Sequence, residues 1–186
     1  MSLIHWNYFL AIEDDVNNLS RYIEFDTSNY SSYSIETAKI LMSSTQEIDV
    51  LLKQICQKHG NSSSKEQGYR TFLPTVIPKL INAKVEYPRY NIDFEPFIEW
   101  QTNQTPFWWT ANNKIKHQRN TNFSDASLKN MLYSVSALLL VNLYYYDSIS
   151  KLDEIFTGTK NFIPVDMITS VSPTIFGMSP NYKIPS

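Results

Sequence analysis

Glycine and cysteine are both scarce in this chain, and each shortage removes a class of chemistry. Four glycines in 186 residues go with the absence of any phosphate-cradling loop or dinucleotide-binding turn. A single cysteine, Cys56, forbids an intrachain disulfide and suits a reducing compartment. Cys56 falls on the apolar stripe of a predicted helix and reads as a buried thiol. There are three histidines, and His5, His59 and His117 are scattered. With no Cys-x-x-Cys or His-x-x-x-His pair, they build no zinc site among themselves. No metal and no other cofactor is expected. No Gly-x-Ser-x-Gly elbow points to a serine hydrolase.

Charge is also low. Charged residues make up 18% of the chain, where about a quarter is usual for soluble domains. The net charge of −2 excludes a global basic footprint for nucleic acid and leaves room only for a local patch. The most apolar run, Leu132 to Tyr146, is shorter than the roughly 20 residues of a bilayer span. Ser134, Ser136 and Asn142 interrupt it, so it reads as a buried core helix. The first residues, Met-Ser-Leu-Ile-His-Trp, lack the basic and apolar regions of a signal peptide. The expected location is the cytoplasm, with no membrane partner.

What is present is apolar and aromatic. A hydrophobic fraction of 42% and an aromatic fraction of 14% exclude disorder, and the length fits one domain with a sizeable core. Tyr8, Phe9, Ile12, Val16, Leu19 and Ile23 recur at steps of three and four, predicting a helix over about 5–23. Glu13, Asp14 and Asp15 read as its solvated face. Ser34 is an N-cap candidate for a second helix carrying Ile35, Ala38, Leu41, Ile48, Leu52 and Ile55, which Gly60 stops. A third helix over 65–82 must be kinked or divided by Pro74 and Pro78. Residues 85–100 hold Pro88 and Pro96 without helical period, and read as an irregular stretch or short hairpin. Ser124 is the expected N-cap of the last long helix, to about Ser148. The expected fold is all-α or mostly α, a bundle of four to six helices in one domain over 1–158. An irregular tail, 159–186, is expected to pack on it.

One segment is chemically dense: Pro106-Phe-Trp-Trp-Thr-Ala-Asn-Asn-Lys-Ile-Lys-His-Gln-Arg119. Pro106 suits the first turn of a short helix to about His117. On that helix Asn113 and His117 lie one turn apart, Asn112 and Lys116 form the adjacent pair, and Ile115 faces the core. Lysine and arginine hold phosphate, histidine moves a proton near neutral pH, and an amide orients a ligand. The candidate catalytic residues are therefore His117 and Asn113. The candidate binding residues are Asn112, Lys114, Lys116, Arg119 and Trp109. A purely structural reading has Asn113 and His117 satisfying buried backbone groups at a helix junction, with the lysines solvated and both tryptophans packed.

Trp108-Trp109, then Asn113 to Arg119, then a long apolar helix, resembles bacterial helical proteins and, more distantly, the HEPN superfamily of small helical bundles. That superfamily includes RNases of toxin–antitoxin and phage-defence systems and non-catalytic members that bind RNA or nucleotides. The resemblance covers residues 5 to 148. Its catalytic pattern is an arginine followed after four to six residues by a histidine. His117 matches the histidine, but the arginine position falls at Thr110, Ala111 or Asn112. The resemblance thus implies a binding module for RNA, a nucleotide or a protein partner in a defence or stress context. The alternatives are a metal-independent RNase with His117 as general acid/base, and a protein-interaction subunit without a small ligand. A homodimer fits the high aromatic content and low charge.

Overall fold

A computed structural model describes residues 3–155, 158–174 and 177–185, without the side chains of residues 169–179. Five α-helices stand among the described residues, and the chain is mostly helical, as its periodicities predict. They are α1 (Ile4–Leu19), α2 (Ile35–Lys58), α3 (Glu66–Val76), α4 (Phe107–Asn122) and α5 (Leu128–Ser148). α5 is the central element. From Ser134 to Tyr144 every residue is buried, so the helix is enclosed on all sides. α2 packs along it, and α1 and α4 flank it. No helix among the described residues is long and apolar enough to cross a membrane.

Most polar groups that α5 carries into this core are bonded to the helix itself, with Asn142 Oδ1 and the Tyr144 hydroxyl left without a partner. Ser134 Oγ donates to Met131 O at 2.7 Å and lies 2.8 Å from Ser44 Oγ on α2. Ser136 Oγ donates to Leu132 O, and Asn142 Nδ2 to Leu138 O. Short polar side chains folded back on their own helix let α5 carry polar groups through an apolar core.

The helix ends follow the capping chemistry. Ser34 and Thr37 exchange a capping box at the start of α2, with Thr37 N donating to Ser34 Oγ at 3.0 Å and Ser34 N to Thr37 Oγ1 at 2.7 Å. Gly60 adopts φ +75° beyond the other end of α2, where Asn61 N reaches back to Cys56 O at 2.9 Å. Only glycine takes that left-handed turn without strain. Ile35, assigned to the apolar stripe, is 80% exposed, because it lies in the first turn before α2 meets its neighbours. The expected cap at Ser124 is replaced by Ser127. The loop before α2 explains the shift: Ser32 O accepts from Leu128 N at 2.7 Å and Tyr30 O from Lys129 N at 3.2 Å. Tertiary partners thus satisfy amides that a local cap would otherwise serve.

Residues 85–100 contain the short hairpin, β1 (Val85–Tyr87) against β2 (Ile92–Phe94), antiparallel with Val85 opposite Phe94. Asn91 closes it at φ +50°, a conformation asparagine tolerates better than most residues. The segment from 159 departs from its expected irregularity. β3 (Ile163–Pro164) pairs with the free edge of β1. β4 (Ile168–Thr174) and β5 (Gly177–Tyr182) form a separate antiparallel pair. Pro173 and Pro180 fall within this pair, where both strands are edges and a missing N–H is tolerated.

The attachment of this segment corrects a second expectation. Glu13 is fully buried rather than solvated. Its Oε1 accepts from the backbone N–H groups of Lys160 (3.0 Å), Asn161 (2.8 Å) and Phe162 (3.2 Å), and its Oε2 from Lys160 N at 2.9 Å. Phe162 then packs on Tyr87, ring centroids 4.8 Å apart. Burial raises the Glu13 carboxyl above its ordinary range, while the three N–H groups and Lys160 pull it down. Asp14 and Asp15 stay nearer the surface and pair with Lys160 and Lys39. His5, near the start of α1, is tied down as well: its Nδ1 bonds Glu47 on α2 and its ring meets Tyr145 edge-on.

Candidate functional site

α4 starts where the sequence predicts and is anchored by its tryptophans. Trp108 is fully buried, donates from Nε1 to Pro96 O at 2.8 Å, and packs on Phe97. Trp109, 6% exposed, stands edge-on to Tyr69 of α3. Ala111 and Ile115 complete the inward face. The first, regular part of the helix ends after His117. Gln118 leaves helical geometry at φ −144° and ψ 58°, so the residues after it are carried in a new direction.

Between α4, α2 and the start of α3 lies an open groove of about 870 Å³. α4 contributes Trp109, Asn112, Asn113, Lys116 and His117 to it, the i, i+3, i+4, i+7, i+8 face of the helix. α2 contributes Met42, Thr45, Gln46, Asp49 and Val50, with the same spacing. Ser64 to Gln67 close one side. Thr45, Trp109, Asn112 and Glu66 form the buried floor, and Asn113, Lys116, His117, Gln46 and Lys65 the exposed walls.

The internal bonding of these residues divides them. Glu66 is fully committed: Oε2 accepts from Arg70 and from Thr105 Oγ1, and Oε1 from Trp100 Nε1. Asp49 accepts the Tyr69 hydroxyl at 3.0 Å and has Lys53 Nζ at 4.0 Å. Thr45 donates to Leu41 O. The acidic groups of the groove are therefore balanced within the protein. The α4 side chains are not. Asn112, Asn113, Lys116 and His117, and Lys65 opposite, make no side-chain hydrogen bond or ion pair with any other described residue. Asn112 is only 8% exposed, but its unbonded amide is not sealed in the core and remains open to solvent in the groove. The helix-junction role conceived for Asn113 and His117 does not apply, because both are exposed on the groove wall.

Two of the expected binding residues lie elsewhere. Lys114 is outside the groove and pairs with Asp125 at 3.3 Å. Arg119, beyond the break at Gln118, lines a separate hollow with Ile35, Lys39 and Phe123. Its Nη2 sits 3.3 Å from Met42 Sδ. The expected basic cluster of Lys116, His117 and Arg119 is thus split. Trp109 does line the floor, but so little of it is exposed that it offers no stacking face. Lys65, Gln46 and Thr45 were not singled out, since they come from other helices and carry no local signal.

Among the described residues no cluster of three or more His, Cys, Asp or Glu side chains is arranged to hold a metal ion. The groove can supply donors for an anion from Lys65, Lys116 and His117, and paired donor and acceptor groups from Asn112 and Asn113. Comparison with protein-family models, with curated proteins and with solved structures finds no match.

Proposed function

We propose that this chain is a non-catalytic binding module whose α2–α4 groove takes single-stranded RNA or a nucleotide. The observation that carries the reading is the unbonded polar face of α4, where Asn112, Asn113, Lys116 and His117 all line the groove without an internal side-chain partner. Phosphate suits the free cations Lys65 and Lys116, with His117 as a further donor. Base edges suit the amides, which donate and accept at once. Such a role is that of the non-catalytic HEPN members this chain resembles in sequence. His117 lacks a neighbouring arginine to neutralise a scissile phosphate, because Arg119 lines another hollow.

The test is fluorescence anisotropy with a labelled single-stranded RNA of about ten nucleotides. Two phosphate-binding lysines give a slope of log K against log salt near −1.4, at about −0.7 for each phosphate neutralised. Lys116→Ala weakens binding and removes about 0.7 of that slope. No binding, or an unchanged slope in the variant, refutes the reading. RNA cleavage that vanishes in a folded His117→Ala protein replaces it with the RNase alternative.

A further inference from the structure

The α2–α4 groove offers a restricted set of free side chains, and the restriction bears on which base it accepts. Three amides line it, Asn112 on the floor and Asn113 and Gln46 on the walls. None of them makes a side-chain hydrogen bond with any other described residue, and the Asn112 amide is open to solvent. The carboxylates of the groove are spent. Asp49 holds the Tyr69 hydroxyl, and Glu66 holds Arg70, Thr105 and Trp100. Among the described residues no arginine lines the groove. Arg70 donates to Glu66, Asn103 and Thr105, and Arg119 lines another hollow.

The two purines ask for different complements. Adenine presents a donor beside an acceptor on each of two edges, N6–H₂ with N1 and N6–H₂ with N7. A side-chain amide matches either pair, its oxygen accepting and its nitrogen donating. Guanine presents two acceptors, O6 and N7, which suit an arginine fork, and two adjacent donors, N1–H and N2–H₂, which suit a carboxylate. Pairing its N1–H and O6 with an amide leaves N2–H₂ facing a floor whose carboxylate, Glu66, is already committed. Lys65 and Lys116 stand on the exposed walls, so they meet the phosphates of the strand rather than a base edge at the floor.

We infer that the groove selects adenine over guanine in a single strand, with the Asn112 amide reading the base edge. The inference rests on the RNA-binding reading of this groove. The base enters edge-first between α2 and α4. Asn112 Nδ2 donates to N1 or N7 of adenine, and Asn112 Oδ1 accepts from N6–H₂. Asn112 thereby discriminates between bases, while the salt dependence stays with Lys65 and Lys116.

The test compares two single-stranded RNA decamers, UUAUUAUUAU and UUGUUGUUGU, by fluorescence anisotropy on the full chain. They differ only in the purine and carry equal charge. The wild-type chain should bind the adenine strand about tenfold more tightly, the return of one bidentate match. Asn112→Leu should bring the two affinities together by weakening the adenine strand. Asn112→Asp, whose carboxylate accepts from N1–H and N2–H₂ together, should turn the preference towards guanine. Lys116→Ala should weaken both strands and leave their ratio unchanged. Equal affinities in the wild type overturn the selectivity while the groove reading stands. So does an adenine preference that survives Asn112→Leu in a chain folded by circular dichroism. Binding of neither strand removes the groove reading, and the selectivity with it.

Discussion

Two polar clusters of this molecule look alike in sequence and behave in opposite ways. Glu13-Asp14-Asp15 on α1 resembles an ordinary solvated face, yet it contains the buried carboxylate that holds the C-terminal segment through three backbone N–H groups. Asn112-Asn113 with Lys116-His117 on α4 resembles a satisfied helix junction, yet these side chains are unbonded in an open groove. A polar group saturated by the fold is structural. One that is turned to a groove and left unbonded is available to a ligand. The sites should therefore separate cleanly, with stability following Glu13 and binding following α4.

The largest expected effect is on Glu13. Glu13→Ala strips the acceptor from three amides in a buried site and should cost about 3 kcal/mol of stability by urea unfolding. Amide exchange of Phe162 and of the β1–β3 pairing should accelerate in the same variant, while RNA binding by the folded fraction stays unchanged. A loss within about 0.5 kcal/mol, the range of ordinary surface changes, breaks the contrast.

A second effect is the pH dependence of stability. Because the Glu13 carboxyl lies above its ordinary value of 4.5 in the folded chain, the folded state holds that proton to higher pH than the unfolded state. The associated stability is fully present below the ordinary value and is lost as pH rises through the folded value. Glu13→Gln should abolish this component. Subtracting its unfolding free energy from that of the wild type between about pH 4 and about pH 7 isolates the slope. A difference that grows in favour of the wild type with rising pH contradicts the assignment.

Smaller effects sharpen the other side. Ser44→Ala, which removes a buried partner of Ser134, should cost about 1 kcal/mol in the same unfolding assay. Asn112→Leu and His117→Ala should change stability by no more than about 0.5 kcal/mol, since neither side chain bonds the fold. A clear destabilisation in Asn112→Leu would show that the amide is structural after all.

The sequence carried the elements better than their joins. Apolar spacing located α1, α2 and α5, Pro106 marked the start of α4, and the chemistry of Ser34 and Gly60 set both ends of α2, because these signals are local. Ser127 displaced Ser124 as a cap because Ser32 and Tyr30, far away in sequence, supply the competing acceptors. Glu13 could not be recognised, since its partners lie some 150 residues on, in backbone that carries no side-chain signature. On α4 the helical period brought Asn112, Asn113, Lys116 and His117 to one face. It ended the regular helix near His117, where Gln118 does leave helical geometry, but the hollow that Arg119 then lines is set by tertiary packing and carries no local signal. The opposite wall of the groove, Gln46 and Lys65, is purely tertiary.

The most direct measurement is an amide and side-chain NMR titration of the full chain with the same single-stranded RNA. Binding in the α2–α4 groove should shift the resonances of Asn112, Asn113, Lys116 and His117 together with those of Gln46 and Lys65, and leave Lys114 and Glu13 still. Shifts centred on Arg119 and Phe123, or none at all, would contradict the groove as the binding site.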